Sequence, residues 1–125
     1  MVVDKLPSDQ ADLVFHALAD ATRRDILVRT LEGEHNVSTL ARGYSMSFAA
    51  VQKHVAVLQG AGLVTKQRKG REQLVRGNPD TMRRAQHLLD QMEAVWHGRI
   101  DRIGEILADA TIDATTHQTN EGPRP

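Results

Sequence analysis

The stretch Val37–Gly77, VSTLARGYSMSFAAVQKHVAVLQGAGLVTKQRKGREQLVRG, decides the fold of this chain of 125 residues. Its pattern predicts a short helix, a tight turn at residues 42–45 and a second helix from Phe48 to Gln59. We expect Gly43 to take the positive φ that lets two short helices meet at a steep angle. Ser47 is expected to cap the second helix. The buried face of that helix is predicted from apolar residues that recur at steps of three and four, namely Val51, Val55 and Leu58.

A hairpin is predicted directly after the second helix. Gly60 and Gly62 are expected to end that helix. Two extended runs follow, at residues 63–68 and 73–76, and they are expected to pair across a glycine-containing turn at residues 69–72. Helix, turn, helix and hairpin in this order predict a winged helix-turn-helix, with the hairpin as its wing.

The second helix and the hairpin concentrate positive charge. Between Ser47 and Gly77 the only acidic residue is Glu72, although the whole chain balances 16 basic with 16 acidic residues. Basic side chains beside a hairpin tip are typical of a surface that lies against a phosphate backbone. Small residues such as Ala49 and Ala56 would let the helix enter a DNA major groove, where Gln and Lys reach base edges or phosphates. The basic residues are Lys53, Lys66, Arg68, Lys69, Arg71 and Arg76.

Capping signals predict the remaining helices. Ser8 is expected to cap a first helix, and Thr22 with Asp25 to form a capping box at the start of a second. Ser38 is expected to cap the short helix that precedes the turn. After the wing, the sequence Asn-Pro-Asp at residues 78–80 predicts the start of a long closing helix.

These elements predict a mainly α fold with about five helices and a two-stranded β-hairpin wing. We expect a flexible N-terminus at residues 1–7 and one domain for DNA binding and dimerisation at residues 8–108. The closing helix is expected to end near Ala108. Residues 109–125 are polar, rich in turn-forming residues and without periodicity, so a disordered tail is expected there.

Two phrases of the sequence resemble the ArsR-type (ArsR/SmtB) family of repressors. Residues 46–58, MSFAAVQKHVAVL, with residues 61–64, AGLV, are similar to the family's recognition helix and the entry to its wing. Residues 19–27, ADATRRDIL, are similar to the phrase that opens its second helix. The similarity extends from about Asp9 to Ala108. It implies a cytoplasmic, homodimeric transcriptional repressor that leaves its operator when a signal arrives.

The resemblance aligns Gln52 and Lys53 with the groove-facing pair of the family. We expect Gln52 to contact a base edge, and Lys53 to contact both bases and phosphates. Ser47 is expected to touch a phosphate in addition to capping. Histidine near the position of His54 is common in the family, and it could contact DNA, pack near the turn, or do both. Three wing residues are expected at the phosphates or the minor groove, although a charged hairpin tip is often only an exposed turn: Arg68, Lys69 and Arg71.

The closing helix carries a wide apolar stripe. Because one side of the helix already packs on a small domain, we expect the rest of the stripe, with the first helix, to pack against a second subunit. The alternative is that the stripe belongs to an intramolecular core. A dimer would place two recognition helices in successive major grooves about 34 Å apart, so double-stranded DNA with an inverted repeat is the expected operator. The stripe consists of Leu88, Leu89, Met92, Val95, Trp96, Ile100, Ile103, Ile106 and Leu107.

Family members often release DNA on binding a metal or metalloid, which makes the histidines candidates for ligands. The family's thiolate site needs cysteines, and this chain has none. The family's other common site has an Asp and a His near one end of the closing helix and a His and an acid further along, and it is completed across the dimer. His87 has Ala85 where the acid would be, whereas His97 has Glu93 and Asp101 four residues away on either side. We assign no metal ligand and no cofactor, and the effector, whether metal or small molecule, stays open.

Other functional classes, such as membrane proteins and enzymes, have little support in the sequence. The chain shows no secretory signal and no apolar run of about 18 residues, so we expect no membrane partner, and the cytoplasmic location is what the family resemblance implies. No Gly-rich phosphate loop, nucleophile elbow or hydrolase metal motif is visible, and we predict that the protein is not an enzyme. Two alternatives remain. One is a metal-responsive repressor that uses the closing-helix site, and the other is a winged-helix module that binds protein without sequence-specific DNA binding.

Overall fold

The computed structural model describes residues 5–117, which contain five helices and three strands. The chain divides into two compact units, with the boundary between Leu88 and Leu89. The predicted mainly α winged helix-turn-helix fold is confirmed. In chain order the elements are α1 (Ser8–Leu18), α2 (Ala21–Glu32), β1 (His35–Asn36), α3 (Val37–Arg42), α4 (Phe48–Gly60), β2 (Val64–Lys69), β3 (Glu72–Gly77) and α5 (Pro79–His117).

Aliphatic side chains from every helix of the first unit and from its sheet form one core. Each buried aliphatic side chain contributes roughly 1.5–3 kcal/mol to folding, before the entropy cost of ordering it. The predicted buried face of α4 is confirmed, because Val51, Val55 and Leu58 are each 0% exposed. This face fixes α4 on the core and leaves its opposite face in solvent. The other fully buried large residues are Val14, Ile26, Leu40, Leu63, Val64 and Val75.

The wing belongs to a three-stranded antiparallel sheet with the order β1-β3-β2. The predicted hairpin is confirmed, with Lys69 opposite Glu72 and Gly70 in the turn at φ +64°. The structure adds a third strand to this hairpin, since β1 pairs with β3 through His35 and Asn36. A strand of two residues has no periodicity, so only its pairing with β3 reveals it.

Three of the predicted helix starts differ in their capping residue. Asp20, and not the Thr22–Asp25 capping box, caps α2 by accepting a hydrogen bond from the Arg23 backbone N–H at 3.0 Å. Asn36 replaces the expected Ser38 as the cap of α3 and accepts from the Ser38 N–H at 2.7 Å. Each is an Asx residue one turn or less before the expected cap, and Asx residues are among the best N-caps. α1 begins at Ser8 without a side-chain cap, after Pro7.

The two glycines that end α3 and α4 act differently. Gly43 has φ −81°, so the expected positive φ in this turn was wrong. A Cβ on Gly43 would lie 2.5 Å from Nη1 of Arg29, and the missing side chain therefore leaves room for that guanidinium. Gly62 does take a positive φ, +78°, and the Leu63 N–H reaches the Leu58 carbonyl at 3.0 Å. This hydrogen-bond pattern is a Schellman motif, which ends α4 and turns the chain into the wing.

The closing helix begins as predicted but ends later. Asn78 accepts a hydrogen bond from the Asp80 N–H at 3.1 Å, and Pro79 is the first helical residue. The helix continues to His117, so the expectation that it ends near Ala108 was wrong, whereas the disorder expected from residue 109 onwards stays a prediction. No glycine or proline interrupts residues 109–117, and helix propagation adds one hydrogen bond per residue. The remaining ends, residues 1–4 and 118–125, lie outside the described residues.

Within residues 5–117, no helix is both long enough and apolar enough to span a membrane.

Candidate nucleic-acid interface

The turn between α3 and α4 is fixed to α2 by one tyrosine. The Tyr44 hydroxyl donates to Oδ2 of Asp25 at 2.5 Å, and the Arg29 guanidinium carbon lies 4.9 Å from the ring centroid. Arg29 also pairs with Asp25 at 3.1 Å. Burial, together with the hydrogen bond to Asp25, raises the pKa of Tyr44 to about 12. The phenol therefore remains a donor at neutral pH and holds the turn against α2.

The solvent-facing side of α4 has the composition expected of a groove-reading helix. Gln52 and Lys53 are exposed, and Ala49 and Ala56 lie beside them on the same face. Their small size leaves the helix backbone accessible. Ser47 caps the helix as predicted, by accepting a hydrogen bond from the Ala50 N–H at 3.1 Å, and it stays exposed at the helix start.

His54 points away from this face. Its Nδ1 lies 3.4 Å from Nη1 of Arg23 and 3.9 Å from Oδ2 of Asp20, and its side chain is 23% exposed. Arg23 also donates to the Ala17 and His16 carbonyls, at 2.8 and 3.0 Å. His54 thus joins α4 to the junction of α1 and α2.

The carboxylate beside His54 is held in its charged form. The hydrogen bond from the Arg23 backbone N–H, together with the attraction of Arg23 and His54, keeps the pKa of Asp20 below its ordinary value of 3.8. Desolvation raises this pKa and offsets part of the lowering. The hydrogen bond from an orphan helix N–H favours a carboxylate over a carboxylic acid. Asp20 is therefore a charged cap at neutral pH.

The predicted wing residues Arg68, Lys69 and Arg71 are all exposed around the hairpin tip. Side chains alternate between the two faces of a strand, so Arg68 and Lys69 lie on opposite faces. The Arg68 Nε donates to the Gly70 carbonyl at 3.4 Å, which leaves its terminal nitrogens available. Lys69 stands opposite Glu72, the acid of the turn.

Arg76 differs from the other basic residues of the wing. Its Nη2 lies 3.3 Å from Oε2 of Glu34, in the segment between α2 and β1. Glu34 precedes the stretch Ser47–Gly77, so the local charge balance of that stretch does not include it. Glu34 therefore offsets one of the six basic charges, and the cationic surface is concentrated at the wing tip and α4.

A pocket of about 150 Å³ opens between the starts of α3 and α4 and the wing tip. It brings together Gln52 and Arg71, two residues predicted to contact DNA from different elements. Phe48 and Gln73 share the pocket, and the sequence analysis assigned neither of them a role. The sequence contains one hint that Phe48 is functional, because aromatic residues are rare in this chain, which has only four. The other lining residues are Asn36, Val37, Ser38 and Glu72.

Comparison with known proteins places this geometry among transcriptional regulators. No model of a known protein family matches the chain. The HTH-type transcriptional regulator YuzN of Bacillus subtilis is 37% identical over 81 residues, covering 58% of this chain and 86% of YuzN. An ArsR-like transcriptional regulator from Rhodococcus sp. RHA1 superposes with a TM-score of 0.71 and 32% identity, over 78% of this chain and 92% of the other.

The chain belongs to the ArsR family.

A further match is the homodimeric winged helix-turn-helix DNA-binding domain of Mb0332 from Mycobacterium bovis, described as a possible ArsR-family transcriptional regulator. It has a TM-score of 0.57 and 31% identity, over 71% of this chain and 82% of that domain. This chain also matches two other regulators, but it spans only 54% and 64% of their respective lengths.

The second candidate site of this ArsR-family chain lies on the closing helix. Nε2 of His97 is 3.1 Å from Oε1 of Glu93, a contact between exposed side chains one turn apart. Among the described residues, no group of three or more His, Asp or Glu side chains is placed to hold a metal ion. Exposed His–Glu pairs at this spacing commonly stabilise a helix. Within the described part of the chain, neither Asp101 nor the half-buried His87 forms a three-residue metal-binding group with other His, Asp or Glu side chains.

Proposed function

We propose that this ArsR-family regulator is a sequence-specific repressor that binds an inverted repeat as a homodimer and blocks a promoter. One observation carries the proposal: α4 presents Gln52 and Lys53 from a face of small residues, directly beside a cationic wing tip. Phosphate contacts by the wing would supply affinity and position, and base contacts from α4 would supply sequence preference. For His54 we propose an indirect contribution to DNA binding, because its contacts would fix the orientation of α4.

The dimer is proposed from the exposed surface of the closing helix. In the second unit, eight apolar side chains between Leu89 and Leu107 are each at least 42% exposed. Soluble proteins seldom leave a contiguous apolar surface of this size uncovered. In the first unit, Leu13 and Phe15 of α1 are also exposed, at 49% and 37%. A second copy that covers these surfaces would match the homodimeric assembly described for Mb0332.

The regulator would act in the cytoplasm, and we assign it no catalytic activity. Any event that changes the angle between the two winged halves would release the operator. A metal effector is supported by one observation, the contact of Glu93 with His97. The basic charge at α4 and the wing tip favours DNA over a protein partner for this surface.

The test is fluorescence anisotropy with a duplex from upstream of the protein's own gene. The titration is repeated from about 50 to 200 mM salt, with a random duplex as control and with zinc or a chelator added. We expect tight, salt-sensitive binding that prefers the upstream duplex. Equal affinity for both duplexes would contradict sequence-specific repression and favour the protein-binding alternative. Release of the duplex by zinc would support the metal-responsive form of the repressor.

A further inference from the structure

Phe48 is a large apolar residue in the middle of a polar, cationic surface. It is the first residue of α4, directly after the Ser47 cap, and 46% of it is exposed. The buried face of α4 is already complete with valine and leucine side chains. An exposed phenylalanine leaves apolar area in contact with water, which costs roughly 25 cal/mol per Å² compared with a covered one. We therefore expect a binding partner to cover the ring of Phe48.

The surroundings of Phe48 indicate what that partner is. Phe48 lines the same pocket as Gln52, which lies one helical turn further along α4, and as Arg71 at the wing tip. The amide of a Gln can pair with an adenine edge, and an Arg with phosphate or guanine. The residues at the start of a recognition helix are those that contact base edges. A ring in this position would therefore meet the floor of the major groove.

We propose that Phe48 determines specificity by packing against the 5-methyl group of a thymine in each half-site. Thymine is the base that offers an apolar group in the major groove, and phenylalanine is one of the side chains that contacts it. Four residues of α-helix advance about 6 Å and one base step about 3.4 Å, so this thymine lies one or two steps from the base that Gln52 reads. The inference rests on the proposed function, since it needs α4 in the groove.

The experiment removes the methyl group from DNA and the ring from the protein. Duplexes of the upstream operator carry deoxyuridine in place of thymine, one symmetric pair of positions at a time. Their affinities are measured by anisotropy for the wild-type protein, for Phe48→Ala and for Phe48→Leu. Val28→Ala is the control, because it also truncates an exposed apolar side chain, here on α2 and outside α4, the wing and the proposed dimer surfaces.

For the wild type, we expect one pair of deoxyuridine positions to weaken binding about fourfold per half-site, the value of one buried methyl group. Phe48→Ala should bind the thymine and deoxyuridine operators equally, whereas Val28→Ala should discriminate as the wild type does. Phe48→Leu keeps an apolar side chain and should retain part of the discrimination.

Two results would overturn the proposal. In the first, the wild type prefers its operator over random DNA but binds every deoxyuridine duplex as tightly as the thymine operator. The proposed function would then stand and the role of Phe48 would fall. In the second, the wild type does not distinguish its operator from random DNA, and both proposals would fall. The wild-type comparison needs no substitution, so a loss of folding in Phe48→Ala cannot hide either result.

Discussion

At the scale of single residues, Gln52 and Arg71 share one pocket but are expected to do different work. Gln52→Ala would remove the proposed base contact, so it should reduce the preference for operator over random DNA by about 1–3 kcal/mol. Arg71→Ala would remove the proposed phosphate contact and should weaken binding to both duplexes alike. It should also lower the slope of log affinity against log salt by about one per subunit. Anisotropy over a salt series measures both effects.

The control for this pair is the wild-type slope and preference in the same series. An unchanged preference in Gln52→Ala would show that the reading face of α4 has been assigned to the wrong residues.

Asp20 gives a residue-scale prediction about acid stability. Its pKa is lowered below 3.8 in the folded chain, chiefly by the hydrogen bond from the Arg23 N–H. A lowered folded pKa adds stability above pH 3.8, and this contribution is lost as the pH falls through the folded pKa. Asp20→Asn keeps an N-cap but removes the charge. Urea unfolding should therefore show wild type more stable than Asp20→Asn at pH 7, with the difference shrinking towards pH 2.5. A difference that stays constant with pH would exclude this role of the charge.

At the scale of elements, the end of α4 decides where the wing begins. Gly62 is in the left-handed region at φ +78°, and a Cβ there would lie 2.8 Å from Nε2 of Gln10. Gly62→Ala should lower the free energy of unfolding by about 1–2 kcal/mol, because an L side chain is strained in this conformation. Gly60→Ala is the matched control, since Gly60 is helical and its Cβ would meet nothing within 4 Å. It should stabilise by up to about 1 kcal/mol. Chemical denaturation measures both, and a Gly62→Ala protein as stable as wild type would rule out a conformational requirement for glycine.

At the scale of the whole molecule, the assembly is expected to depend on Trp96. This side chain is 56% exposed on the apolar stripe of the closing helix. Trp96→Glu would bury a charge in the proposed interface and should yield monomers with weak operator binding. Ala94→Glu adds the same charge to another exposed position of the helix, two residues away, and should leave the dimer intact. Light scattering with size exclusion reports the mass, and a dimeric Trp96→Glu protein would refute this placement of the interface.

Elements whose signals are local could be predicted from the sequence. The spacing of Val51, Val55 and Leu58 set the buried face of α4, and Gly70 between two extended runs set the hairpin. Ser47 was recognisable as a cap because its partner, the Ala50 N–H, is three residues away. Periodicity, turn chemistry and N-capping act over one or two turns of chain, and a single sequence contains all of their causes.

Features that join distant residues became visible only in the folded chain. His54 turns towards Asp20 and Arg23, Arg76 is offset by Glu34, and β1 exists through its pairing with β3. The pocket shared by Phe48 and Arg71 likewise requires α4 and the wing to be packed together. The energies of such contacts depend on which surfaces meet in space. No local pattern contains that information, so packing of the core had to place the residues side by side before their roles could be inferred.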